Sequence, residues 1–253
     1  YVEACGADFL KANAFRVFQF IGSPEFDGQG KIVLGTAEGG VQVTLFRLNE
    51  LDLDHIYVNQ NEPFREHAKL PLDLNYWYFH TMHHEFCHIL TQKKYYSTDF
   101  QTISAGKYHS TDWINVEDED AVKEGFVTGY ASGEYNEDFA EVYANYVTSS
   151  DESWEARLDK GIEYTVTGLN AKGETIQVAF WGLPTNAQLA GAGFASVKGA
   201  KITSREGANI INAKLEIVRS YLQDSWGIDL EKLRAIVLRR SAEVMNMDLT
   251  TLN

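Results

Sequence analysis

Five residues constrain this chain more than any others: His84-Glu85-Phe86-Cys87-His88, an H-E-x-x-H pattern inside residues 75–91. On an α-helix, residues four apart lie about 40° apart around the axis, so His84 and His88 point the same way and can share one metal ion. Glu85 then stands beside the pair, where it can take a proton from a water activated by that metal. The flanking residues support a helix. With His84 at 0° and a turn of about 100° per residue, Tyr78, Phe79, Met82, Phe86, Ile89 and Leu90 fall between about 120° and 240°, a continuous apolar stripe opposite the histidines. One side is therefore expected in a core and the other on a cleft. His80 also lies on the ligand face and His83 does not; a His80/His84 pair is the weaker alternative, because no glutamate follows its first histidine.

The chain has 253 residues, 44% of them hydrophobic, enough for one large globular domain. No run approaches the roughly 20 apolar residues of a membrane span. Its formal net charge of −14 argues against a nucleic-acid backbone or an anionic membrane surface as partner. The chain opens at Tyr1 without a basic segment followed by an apolar one, so any targeting segment is expected to lie outside this sequence. Two cysteines, Cys5 and Cys87, are too few for a disulfide framework or a cysteine-rich zinc site, which leaves histidine and carboxylate as ligands. Cys87 suits a packed helix, and Cys5, behind Glu3, does not resemble a lipid-attachment cysteine.

Before the motif, residues 8–20 suggest a helix running into a strand, residues 22–30 a turn-rich loop, residues 31–35 a short strand and Glu38-Gly39-Gly40 a turn. Residues 41–48, rich in β-branched and apolar side chains, read as a strand that forms either the upper rim of the cleft or part of the core. Residues 51–72, with Pro63 and Pro71, read as loop with a little helix, and residues 93–113 as loop. The acidic run Glu117-Asp118-Glu119-Asp120 reads as a solvated helix start.

A catalytic zinc takes three protein ligands and leaves a fourth position open. A third histidine in the metzincin register is excluded, because Thr91 and Lys94 stand where glycine and histidine are required. His109 and Asp112 lie in loop-like surroundings. Glu137 suits the role better: on a helix from about Asn136, it shares a face with Ala140, Glu141, Ala144 and Thr148, while Phe139, Val142, Tyr143 and Tyr146 lie opposite. Small alanines let two helices approach, so Glu137 can reach the metal and Glu141, one turn on, can hydrogen-bond a ligating histidine. Asn136 is placed to cap this helix.

The run His84–Leu90, Gly125-Phe126-Val127, Tyr130-Ala131 and above all Glu137-Asp138-Phe139-Ala140-Glu141 resemble the zinc-binding metallopeptidases of Bacteroidetes described as substrate-import-associated zinc metallohydrolase lipoproteins. The resemblance continues through Ala37–Gly40, Tyr221-Leu222 and residues 226–234 and so covers most of the chain. More distantly, Tyr130 with Glu137 and Phe139-Ala140-Glu141 is similar to the catalytic domain of anthrax lethal factor. The resemblance implies Zn2+ held by His84, His88 and Glu137, Glu85 as general base, and Tyr130 as hydroxyl donor to the developing oxyanion. It also implies a peptide or protein substrate, a neighbouring outer-membrane import receptor, and a lipid-anchored place in the outer membrane or periplasm. Gly129 and Ser132-Gly133 around Tyr130 are read as permitting close approach to the metal.

Residues 161–207 depart from that family. They read as two strands around the Asn170–Gly173 turn, then a glycine-rich loop: an insertion that either borders the cleft or decorates the surface. Residues 210–222 and 230–245 carry helical spacing, with Asp229 as cap and Ile228 and Leu233 as a hydrophobic staple. The expected architecture is a single α+β zincin-like domain over residues 1–253, with a small mixed sheet before the metal helix and a mainly helical half after it. The expected activity is zinc-dependent hydrolysis of a peptide bond. A zinc-containing binding module beside a nutrient importer, and a hydrolase of a non-peptide amide or glycan-linked substrate, are the alternatives.

Overall fold

The computed structural model describes residues 1–64 and 73–248. Residues 65–72, part of the loop expected over 51–72, lie outside them. Two short helices, α1 (Val2–Cys5) and α2 (Ala7–Asn13), lead into strand β1 (Val17–Phe20). A small hairpin follows, β2 (Glu25–Phe26) and β3 (Ile32–Val33), where a bare loop was expected at residues 22–30. Then come β4 (Gly35–Glu38) and β5 (Gln42–Leu45). Gly39 and Gly40 both have positive φ, 56° and 68°, a two-residue turn whose twist matches antiparallel strands and which side chains would strain.

The sheet order is β1-β5-β4, with β1 parallel and β4 antiparallel to β5. Of the two expectations for residues 41–48, rim or core, the core one holds. Strand β5 is central, with Val43, Thr44 and Leu45 buried, so both its edges are already paired. The strand at the cleft's rim is β4. A Cβ placed on Gly35 would lie 2.7 Å from Thr81 Cγ2 and 3.2 Å from Glu85 Cγ, so β4 rests directly on the motif helix.

That helix begins as a π-helical turn, Asn75–His80, and continues as α3 (Thr81–Lys93). The wider turn shifts residues 75–80 from the α-helical angles assumed for them. Trp77 joins Tyr78, Phe86, Ile89 and Leu90 in the core, whereas Phe79 and Met82 are only partly buried. Burying Phe86, Ile89 and Leu90 contributes about 1.5–3 kcal/mol each. The cleft face is enclosed too: His84 and Glu85 are 6% and 7% exposed.

Residues 93–113 contain α4 (Asp99–Ile103), and the acidic run forms the start of α5 (Asp118–Glu124). Helix α6 (Tyr135–Thr148) crosses the centre with nearly every residue from Asp138 onward buried. Its N-cap position is Glu134, not Asn136, which instead accepts a hydrogen bond from Tyr96 Oη at 2.9 Å. Helix α7 (Asp151–Asp159) follows, capped by Ser150.

Residues 161–207 form β6 (Glu163–Leu169), β7 (Thr175–Trp181), the short α8 (Asn186–Gly191) and β8 (Ser196–Ser204), a sheet ordered β7-β6-β8. The expected glycine-rich loop is thus a helix and a third strand. Small and charged residues such as Lys198-Gly199-Ala200-Lys201 have low strand propensity, and pairing with β6 overrides it. The last helices are α9 (Glu206–Trp226) and α10 (Leu230–Val244). Asp229 accepts the Lys232 amide at 3.0 Å, and Ile228 and Leu233 are fully buried, as capping and staple require.

One buried ion pair joins α6 to α9. Lys214 Nζ lies 2.6 Å from Asp138 Oδ2, donates to Gly125 O at 2.8 Å and stacks over the Phe126 ring, and Tyr108 Oη also donates to Asp138. Both charges are fully buried, so removing one strands the other. Lys214→Met is expected to lower stability by about 3–5 kcal/mol, and the Asp138→Asn/Lys214→Met double variant by less than the sum of its singles; urea unfolding of the three variants checks both.

Candidate metal centre

Helices α3 and α6 pack so that His84, His88 and Glu137 converge. His84 Nε2 lies 3.0 Å from both His88 Nε2 and Glu137 Oε2, and His88 Nε2 lies 3.3 Å from Glu137 Oε2. Metal–ligand bonds of about 2.0–2.1 Å at tetrahedral angles separate ligand atoms by about 3.3 Å, so the three atoms suit one zinc ion. The tautomer agrees. His84 Nδ1 is 2.8 Å from Glu141 Oε1, and with the proton there the Nε2 lone pair faces the other two atoms. Three electron-rich atoms in contact repel one another until a cation lies between them.

The field points the same way. Burial opposes charge on His84, but Glu137 and Glu141 outweigh it and hold its pKa well above that of ordinary imidazole. Burial likewise works to raise the Glu137 carboxyl, and His84 and His88 outweigh it, holding the group below the usual carboxylate range. Glu85 behaves differently. Burial raises its pKa despite the opposing influence of His84 and His88, so this carboxyl takes up a proton more readily than an exposed glutamate does.

Glu141 organises the layer behind the ligands. Its carboxylate receives His84 Nδ1, His80 Nε2 at 3.1 Å, Thr128 Oγ1 at 2.7 Å and Asn145 Nδ2 at 3.2 Å. Burial would raise its pKa, and His80 and His84 overcome that to hold it well below the usual range. His80, His84 and Glu141 are themselves a second group close enough to hold a metal. That group would need the His84 nitrogen already turned to Glu141, and no glutamate follows His80 to serve as base. His80 is better described as a second donor to Glu141. His109 lies elsewhere, 2.7 Å from Glu124.

Tyr130 stands over this centre. Its ring is 5.9 Å from that of His84 and meets Trp113 edge-on at 4.9 Å. Burial and the Glu137 charge push its pKa far up, so the phenol stays protonated and able to donate. The glycines around it serve the loop rather than approach to the metal: a Cβ on Gly129 would meet Val116 O at 2.1 Å, and one on Gly133 would meet Trp113 at 3.0 Å. Thr128 Oγ1 also accepts the Ala131 amide at 3.1 Å, which ties the Tyr130 turn to Glu141. Asp118 accepts the Gly129 amide at 2.8 Å from the other side, so one member of the acidic run is structural rather than solvated.

A cavity of about 480 Å³ opens beside Glu85 and extends past Thr81, His80 and Tyr76 to Arg157. No residue of 161–207 lines it, so the β6–β8 sheet forms no part of this cavity's wall. Sequence reasoning missed Thr128, Trp113 and Arg157. None belongs to a motif, and only the packing of loops against α6 and α7 brings them here.

Fold and centre together define an α+β protein with a site suited to one zinc ion. Residues 1–231 match the family described as "Putative zinc-binding metallo-peptidase". The chain is also similar to the crystal structure of a protein described as "a putative zinc-binding metallo-peptidase from Bacteroides caccae ATCC 43185", with 32% identity, a TM-score of 0.64, and coverage of 100% of this chain and 75% of that one. No curated protein matches. This chain belongs to that family of zinc-binding metallopeptidases.

If Glu141 orients His84, Glu141→Ala should weaken zinc binding about 10–100-fold. Competition with a chromogenic chelator measures this, and unchanged affinity would remove Glu141 from the centre.

Proposed function

We propose that this chain is a zinc-dependent peptidase in which His84, His88 and Glu137 hold the metal, Glu85 is the general base and Tyr130 donates to the oxyanion. The observation that carries this reading is the convergence of three ligand atoms within 3.0–3.3 Å, next to a buried Glu85 that faces a cavity. Zinc held by these three residues would lower the pKa of a water and polarise the scissile carbonyl. Glu85 takes a proton from the attacking water and delivers it to the leaving amine. Tyr130, protonated and above the centre, hydrogen-bonds the oxygen on which negative charge develops. Among the described residues, β4 pairs only with β5, so its outer edge is available to an extended substrate main chain.

Digestion of a peptide library tests this. Wild type should cleave; Glu85→Gln should keep its zinc and lose activity; Tyr130→Phe should keep its zinc and lose about 10²–10³ in kcat. Silence from zinc-loaded wild type would favour an accessory binding module or a non-peptide substrate instead.

We further propose a cell-envelope setting for this peptidase beside a nutrient-import receptor, on the family resemblance alone. The gene upstream of Tyr1 should encode an apolar segment ending in a lipid-attachment cysteine. A reading frame without one would overturn the placement and leave the chemistry intact.

A further inference from the structure

The described residues include three buried Lys or Arg side chains, and two of them are partnered in the ordinary way. Lys214 pairs with Asp138, and Arg234 pairs with Asp151 while also donating to Tyr146 O and Ser149 O. Arg157 differs. It is 4% exposed, its two terminal nitrogens donate to Val127 O and Pro63 O, and Phe64 covers one face of the guanidinium at 4.8 Å. Its Nε has no hydrogen-bond partner, and among the described residues no carboxylate lies within ion-pair distance. Asp118 and Glu141 act on it only across a greater separation. Asp118 is occupied with the Gly129 amide, and Glu141 with four donors of the metal centre. A buried guanidinium without an anion is costly, and this one lines the cavity that begins at Glu85.

The course of β4 determines which part of a substrate enters that cavity. Gly35, at the start of β4, lies against Thr81 and Glu85, and Gly40, just past its end, lies against Gln92 and Lys93. Strand and helix therefore run in the same direction. A substrate pairing antiparallel to β4, the more stable pairing, runs the opposite way, from the His88 end of α3 towards Thr81. The residue after the scissile bond then enters the cavity, on the side of Tyr76, His80 and Arg157.

We propose that Arg157 is the anchor for a carboxylate on the residue that follows the scissile bond. That carboxylate is either an Asp or Glu side chain or the free C-terminus of the substrate. The guanidinium is a planar donor suited to a carboxylate, and Val127 O, Pro63 O and Phe64 hold it in place before the substrate arrives. The proposal rests on the peptidase reading above for the position of the bond. It adds a specificity that the zinc chemistry itself does not dictate.

The test is binding rather than turnover. Four hydroxamates share one zinc-chelating head and differ in the appended residue: glutamate or glutamine, each as the free acid and as the C-terminal amide. Titration calorimetry on the zinc-loaded protein should show at least one carboxylate-bearing member binding at least tenfold tighter than glutamine amide. Glutamate amide against glutamine amide reports the side-chain source, and glutamine acid against its amide reports the C-terminal source. Arg157→Gln should erase the preference and Arg157→Lys should retain part of it. The wild-type comparison stands even if a variant misfolds. Tight binding that ignores the carboxylate, or a preference that survives Arg157→Gln, would overturn the anion site alone. Zinc-loaded protein that binds none of the four would overturn both this proposal and the peptidase reading.

Discussion

The buried carboxylate of Glu141 is the interaction on which the rest of the centre depends. An ionised group inside a protein is tolerable only when its lone pairs are satisfied, and here four donors from the motif helix, the loop before Tyr130 and α6 itself do so. Satisfying Glu141 turns His84 so that its Nε2 faces His88 and Glu137. The same hydrogen bonds that make the carboxylate tolerable thus leave the histidine turned as a ligand would have to be. Thr128 extends this to the Tyr130 turn, because its hydroxyl touches Glu141 on one side and the Ala131 amide on the other.

The surrounding scaffold keeps those groups still. Helix α6 is buried along most of its length, and on the side away from the metal centre Phe139 packs against Tyr96, Phe100 and Tyr221, which fixes the helix in the core. The Asp138–Lys214 pair clamps α6 to α9 near the helix start that also carries Glu137. Asn75 does the same for the start of the motif helix, donating to Asn59 O at 2.7 Å and Thr148 O at 2.9 Å. The β6–β8 sheet stands apart from this arrangement: its edge strands are largely exposed and it contributes nothing to the cavity wall.

A cavity lined by both charge signs beside the candidate metal centre would make the proposed specificity an electrostatic matter. In the proposed peptidase, zinc would activate water whatever the neighbouring residue is, so discrimination would fall to groups such as Arg157 that the reaction itself does not need. Their buried, pre-positioned state is what gives them force, since a charge already stripped of water and fixed in place loses little on meeting its partner.

Much of this was readable from residue order. The i, i+4 histidines, the glutamate after the first of them, and the Glu137/Glu141 pair on a small-residue face are local patterns, and helical periodicity alone places each set on one side of its own helix. The capped α10 and the Gly39-Gly40 turn follow from equally local chemistry. Periodicity reaches no further than its own element. Whether the strand at 41–48 or its neighbour forms the rim depended on which one paired twice, and pairing partners lie tens of residues apart. The third strand of the β6–β8 sheet forms against its own composition for the same reason. Asp118 and Arg157 carry no signal at all in the sequence: one looks like a member of an acidic run and the other like a helix-surface arginine. Their burial beside the Tyr130 turn and the cavity was decided only when α5 and α7 packed against the central helix, because desolvation belongs to the assembled surface and not to the residue.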